Sequence, residues 1–242
     1  MKPFAYRLLR YLAARLTPGE TYGLHMTVGM VLMALAALVF GDIAADVMER
    51  DDITALDHTL AHWFHQHKHS AWTPIMLFIT HWHQQAGIAL MMALFAFYLY
   101  RRRERYWLVT VLLAVPGGML LNVLLKYSFQ RARPVFEEPL ITLATYSFPS
   151  GHASGATLFY GVLAAWFVCT RAGWRRKATA VLGALVMVAL VALSRVYLGA
   201  HYLSDVLAAM AFGCGWLAVC ITGMSTLRRS RAAALDAQRT ET

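Results

Sequence analysis

The chain has 242 residues, of which 59% are hydrophobic and only 14% charged, and its mean hydropathy is +0.49. That composition excludes intrinsic disorder and does not suit a water-soluble domain, where about 25% of residues carry charge. The formal net charge of +9, from 22 Lys+Arg against 13 Asp+Glu, admits nucleic acid, an anionic membrane surface or a topological bias as its cause. The positions of the charges decide among them.

Six long uncharged runs occur in chain order, roughly 24–41, 84–100, 107–125, 153–170, 178–193 and 206–223. Each is near the ~20 residues that cross a hydrocarbon core. Inside a bilayer the backbone must satisfy its own hydrogen bonds, so the runs are predicted to be helices. The expected fold is all-α: a polytopic membrane protein with six transmembrane helices and one interfacial outer helix. The first run starts after twenty-odd residues and lacks a small-residue cleavage site, so it is read as a span and not as a cleavable signal. Between the first two runs, His58, His62, His65 and His69 could share one helix face. A metal site there lacks partnering carboxylates or cysteines; Leu56, Leu60, Trp63, Phe64 and Trp72 instead suggest a helix lying on the outer leaflet.

The second span is interrupted at its start. Residues 75–80 are apolar, His81, Trp82, His83, Gln84 and Gln85 break the run, and it resumes at Gly87. The earlier piece is read as a surface helix or turn that leads into the span. In the third span, Pro116, Gly117 and Gly118 predict a kink or a close helix contact. Cys169, Cys214 and Cys220 all fall in spans, with neither a disulfide framework nor a metal-type spacing. One membrane domain is expected over 1–227, followed by a basic, mobile cytoplasmic tail over 228–242.

With the N-terminus placed inside, sixteen of the 22 Lys+Arg fall in inner segments, four in each of 1–23, 101–106, 171–177 and 224–242. Only four acids join them, so the inner side carries +12 and the outer side −3. This is the positive-inside pattern. The basic balance is topological, and no nucleic-acid partner is implied.

Three outer segments hold polar residues that topology leaves unexplained. The first runs from Lys126 to Arg133 and Pro134, the second from Pro149 to Ser150, Gly151 and His152, and the third from Ser194 and Arg195 to His201 and Asp205. Three cations can hold phosphate oxygens. Ser150 and Gly151 open a helix whose free N–H groups can face an anion. Four residues separate His201 from Asp205, so on a helical turn the carboxylate can orient the imidazole. Lys126 or Arg133 alone could merely flank a span, and Asp205 alone could be a first-turn helix acid; the joint pattern points to phosphoryl transfer.

These segments match Lys-x6-Arg-Pro, Pro-Ser-Gly-His and Ser-Arg-x5-His-x3-Asp without departure. The chain thereby resembles the type-2 phosphatidic acid phosphatase superfamily of membrane lipid phosphatases. The motifs span residues 126–205, about a third of the chain. The resemblance implies that His201 attacks phosphorus and becomes phosphohistidine while Asp205 holds its ring. It implies that His152 protonates the leaving oxygen, and that Lys126, Arg133, Ser150, Gly151 and Arg195 bind the phosphoryl oxygens, with no metal or other cofactor. The implied partners are membrane lipids and a lipid phosphate substrate. Undecaprenyl diphosphate is the leading expectation, with phosphatidylglycerophosphate and phosphatidate behind it, handled at the periplasmic face of a bacterial inner membrane with both termini cytoplasmic. A lipid A phosphatase or phosphotransferase of the same superfamily is the enzymatic alternative. A non-catalytic lipid-binding or transporter-like protein is the alternative from another class.

Overall fold

A computed structural model describes residue 17 and residues 23–137, 139–141 and 143–240. The expected inner cations Lys2, Arg7, Arg10 and Arg15 lie outside the described residues, as do Glu20, Glu138 and Glu241. Among the described residues there are eight α-helices and no strand: α1 (Leu24–Glu49), α2 (Asp52–Gln66), α3 (Trp72–Trp82), α4 (Gln85–Arg101), α5 (Arg105–Phe129), α6 (Gly151–Thr170), α7 (Trp174–Tyr197) and α8 (Leu203–Thr240). The all-α reading therefore holds.

Five of these, α1, α5, α6, α7 and α8, are long and apolar enough to cross a membrane. The sixth expected span, α4, has 17 residues, or ~26 Å of helix against a core of about 30 Å. It is short because the chain turns at His83 and Gln84 before α4 begins. Apolar side chains face outward along the long helices, with Leu38 69% exposed, Leu120 62% and Leu182 62%. In water such surfaces would drive association; in a bilayer they are the lipid contact.

At the centre of the bundle, α6 packs against α5, α7 and α8. Every residue from Ala153 to Phe159 is buried, and four of these seven are Ala, Ser or Gly. Small side chains let membrane helices approach closely, where dispersion contacts replace the missing hydrophobic drive. Gly213 of α8 sits so near Thr157 of α6 that a Cβ there would lie 2.8 Å from the Thr157 methyl. Along the other side of α8 runs α1, joined to it by a 3.1 Å contact between His25 Nε2 and Thr226 Oγ1. Pro116 lies inside an unbroken α5. Its neighbourhood makes the close contact: the Trp216 indole of α8 donates to the Ala114 carbonyl at 3.0 Å.

Beyond Leu227 the sequence reading expects a mobile tail, but α8 continues to Thr240. Residues 232–235 are Ala, Ala, Ala and Leu, strong helix formers that prolong the span past the bilayer.

Gly213→Val is expected to lower stability by about 1–3 kcal/mol through overpacking against Thr157. Gly41→Ala, where a Cβ meets nothing within 4 Å, should leave it unchanged. Unfolding midpoints in detergent check both; equal midpoints for Gly213→Val and the parent would refute the close contact.

Candidate functional site

The three motif segments meet at one end of the bundle. Lys126 comes from the last turn of α5, Gly151 and His152 from the first turn of α6, and Arg195 from the last turn of α7. Arg133 lies in the α5–α6 connection, and His201 sits between α7 and α8. The turn that delivers His201 depends on Gly199, whose φ of 68° is left-handed. These six residues line one cavity of 660 Å³. Ser150 and Asp205 lie behind it, both with no exposed surface.

His201 is 2% exposed. Arg133 Nη1 lies 3.1 Å from its Nε2. A guanidinium only donates, so Nε2 accepts and the ring proton sits on Nδ1. Nδ1 faces Asp205 Oδ2 at 3.3 Å and Ser147 Oγ at 3.3 Å. The Ser147 hydroxyl in turn donates a short hydrogen bond to Asp205 Oδ2, and the Tyr202 backbone N–H donates to the same oxygen at 2.9 Å. The tautomer is thus fixed with its lone pair on Nε2, toward the cavity. Burial holds the His201 pKa down at about 3 against the opposing pull of Asp205, with Arg195 and Arg133 adding to the depression.

The cations are held from behind. Lys126 Nζ donates to the carbonyls of Tyr146 at 2.7 Å and Ser147 at 3.2 Å. Arg133 donates to Thr145 and Ala200 carbonyls, each at 2.6 Å; burial lowers its pKa although Asp205 opposes this. Arg195 is 2% exposed and spends Nη1 on Thr80 Oγ1. Its Nε and Nη2, together with His152 Nε2, have no hydrogen-bond partner among the described residues. Buried donors left this way cost about 1–3 kcal/mol each, so the arrangement suits an anion that takes them up. The Ser150 hydroxyl accepts from the Ala153 N–H at 3.5 Å as the N-cap of α6.

Several residues here carry no motif signal. Arg131 Nη1 donates to Asp205 Oδ1 at 2.7 Å while its Nη2 donates to Asp57 Oδ2 at 2.8 Å. Asp57, on α2, also accepts from the Ser204 backbone N–H at 2.9 Å and from its hydroxyl. Burial opposes the Arg131 charge, but the two carboxylates raise its pKa above the ordinary value. Asn122 donates to Ser154 Oγ at 2.9 Å and to the Pro149 carbonyl at 3.3 Å, tying α5 to the start of α6. Thr80, His83, Gln84 and Gln85 line the cavity from the α3–α4 turn. The other histidines are absorbed by packing: His65 stacks on Phe136 at 4.1 Å, and His58 meets the Tyr202 ring edge-on. No group of three or more His, Cys, Asp or Glu is arranged as a metal site among the described residues.

Residues 107–229 match the PAP2 superfamily, half of the chain. The chain belongs to the PAP2 superfamily. A curated relative, phosphatidylglycerophosphatase B of Bacillus subtilis, is 38% identical over 105 residues, which is 43% of this chain and 51% of that protein. The chain thus matches about half the length of that relative. The crystal structure of a transmembrane PAP2-type phosphatidylglycerolphosphate phosphatase from Bacillus subtilis superposes with a TM-score of 0.71 at 26% identity, covering 78% of this chain and 94% of the other. LpxE of Aquifex aeolicus shares the fold, with a TM-score of 0.54 at 21% identity over 68% of this chain and 94% of that one.

Within this PAP2 chain, Arg131 is the structural tie of the site. Asp57 and Asp205 have side chains with 0% exposure, so Arg131→Leu strands two buried carboxylates and should cost about 3–5 kcal/mol. Adding Asp57→Asn should recover part of that loss. Chemical unfolding of the single and double variants checks it; a single variant as stable as the parent would refute the tie.

His201 gives a pH signature. Its folded pKa of about 3 lies below the ordinary 6.5, so between those values the unfolded chain binds the extra proton. The His201 contribution to stability is full above about pH 6.5 and falls as pH drops toward about 3. His201→Gln should flatten that part of the stability profile; parallel profiles for parent and variant would contradict the depressed value.

Proposed function

We propose that this chain is a membrane lipid phosphatase that cleaves a terminal phosphate from a lipid through a phosphohistidine on His201. The observation that carries the reading is the neutral His201 ring, its Nε2 accepting from Arg133 Nη1 at 3.1 Å, in a cavity where Lys126, Arg133, Arg195 and His152 converge. A neutral imidazole needs no base to become a nucleophile, and Nε2 is freed when Arg133 Nη1 turns from it to a phosphate oxygen.

In this mechanism Nε2 attacks phosphorus as the bond to the lipid oxygen breaks. His152 supplies the proton that oxygen takes up. The Nδ1–H stays on the phosphorylated ring, whose positive charge Asp205 offsets. A water then attacks phosphorus from the same side, His152 accepts its proton, and the N–P bond breaks to release inorganic phosphate. Lys126, Arg195 and the Gly151 N–H take the equatorial oxygens and stabilise charge as it spreads, and Arg133 joins them by moving its Nη1 from His201 Nε2 to phosphate. Ser150 contributes by capping α6 and so aiming the Gly151 N–H and His152.

The names of the curated relative and of the better-matching solved structure support phosphatidylglycerophosphate as the first substrate to test, ahead of the undecaprenyl diphosphate favoured by the sequence. The +12 and −3 partition of charge supports an inner bacterial membrane with both termini cytoplasmic and the cavity facing the periplasm. His201→Ala should reduce phosphate release by roughly 10³-fold or more, and His152→Ala by about 10²–10⁴-fold. With a phosphate-labelled lipid, the His152 variant should accumulate label on the protein and the His201 variant should not. Label retained by His201→Ala would overturn the nucleophile assignment. A panel of phosphatidylglycerophosphate, undecaprenyl diphosphate and phosphatidate tests the substrate order; equal rates on short water-soluble phosphates would count against a lipid substrate.

A further inference from the structure

A second built cavity lies at the other end of the bundle from His201. It is a groove of 770 Å³ between α6 and α7. Its walls are apolar, formed by Leu163, Phe167, Ala180, Ala184 and Met187, and it ends at Tyr160. Arg171, Arg175 and Arg176 stand at its mouth. Two of these guanidiniums are fixed by aromatic rings: Arg171 sits 4.9 Å from the Trp166 ring centre, and Arg175 5.7 Å from that of Trp174. Arg171 Nη2 also donates to the Tyr98 hydroxyl at 3.4 Å. None of the three has a carboxylate partner among the described residues.

The dimensions identify the occupant. From Arg171 to Tyr160 the groove runs eleven residues along α6, about 17 Å. That is close to half of a ~30 Å hydrocarbon core, the depth of one leaflet. An apolar channel one leaflet deep with arginines at its open end favours an anionic lipid over a zwitterionic one, whose ammonium the arginines repel, and over a soluble anion, which has no chain to fill it. Gly183 keeps it clear: a Cβ there would meet nothing within 4 Å, and the residue lines the groove.

We propose that the α6–α7 groove binds one anionic glycerophospholipid of the leaflet opposite the catalytic cavity, its phosphate on Arg171, Arg175 and Arg176 and one acyl chain against Gly183 and Tyr160. The groove is separate from the phosphate-binding cavity. Arg171 lies 19 residues beyond His152 on the same helix and its cap, ~28 Å away. Tyr160 is where the two approach, since its hydroxyl meets His83 Nε2 at 2.8 Å and His83 lines the catalytic cavity. The proposal holds whether or not the chain is a phosphatase.

The test titrates delipidated full-length protein in detergent with phosphatidylglycerol or phosphatidylcholine and reads the thermal unfolding midpoint, with native mass spectrometry counting bound lipids and copies of the chain. Phosphatidylglycerol is expected to raise the midpoint and to be retained as one tight lipid, while phosphatidylcholine does neither. Arg175→Gln with Arg176→Gln should raise the concentration needed for half of the shift by roughly 20-fold. Gly183→Leu, which fills the apolar channel and keeps every arginine, should abolish retention. Arg133→Gln, in the catalytic cavity, should leave the response intact. An unchanged response in both groove variants, its loss in Arg133→Gln, equal action of phosphatidylcholine, or a dimer formed through this face would each overturn the assignment.

Discussion

Two carboxylates without exposed surface, Asp57 and Asp205, are held by one guanidinium, that of Arg131. Everything at the cavity end of the bundle is set by this tie. An isolated buried carboxylate is expensive, and a buried pair is tolerated only when its remaining lone pairs are also satisfied. Here they are: Asp205 accepts from Ser147, the Tyr202 N–H and the His201 ring, while Asp57 accepts twice from Ser204. The result joins α2, the α5–α6 connection and the first turn of α8 into one polar knot. The orientation of His201 follows from it, because Asp205 can hold the imidazole only where Arg131 and Ser147 hold Asp205.

The other half of the site is built on the opposite principle. Arg195 and His152 keep donors or lone pairs without protein partners among the described residues, beside the cavity they line. Lys126 and Arg133 are anchored through backbone carbonyls, which fix their positions without neutralising them. The cavity is therefore a positive field next to a neutral imidazole. Such a field acts strongly on a bound anion, because most of its donors already stand in place and Arg133 alone has to shift a hydrogen bond from His201. A fully paired set of cations would be more stable and less useful. The stability surrendered at the cavity is offset by the saturated Asp57–Arg131–Asp205 knot a few residues away.

The sequence made legible whatever depended on local pattern. Five of the six apolar runs became helices of spanning length, and the three motifs named the side chains that line the cavity. Long-range partners were not legible. Arg131 sits inside the first motif, between Lys126 and Arg133, yet its partner Asp57 is 74 residues away, on a helix with no motif of its own. Ser147 precedes Pro149 by two residues and looks like loop. Only burial beside Asp205 reveals it as a ring-orienting group. Ser150 is ambiguous for a related reason: a serine before a helix can face a ligand or cap its own helix, and both have the same sequence signature. The α8 extension is not legible in hydropathy because the apolar run stops before Arg228, whereas Ala232, Ala233 and Ala234 carry the helix onward.

The two ends of α6 and α7 use the same chemical group in different ways. At the cavity end Arg195 is buried, its charge confined by low-dielectric walls and directed at a small volume. At the other end Arg175 and Arg176 are exposed, where a charge in water is screened within about 8–10 Å. Topology alone explains why cations gather at that end, but it sets no requirement on what lies between the helices above them. A plain helix pair with α6 and α7 packed as tightly there as at Ala156 and Val191 would satisfy the same orientation signal. The bundle instead tapers, sealed at the cavity end by Ala153 and Ala192 and parted at the arginine end around Gly183. The parting exposes apolar walls directly beneath unpaired guanidiniums, so the two components of a phospholipid, chain and phosphate, are matched in the order in which a lipid presents them.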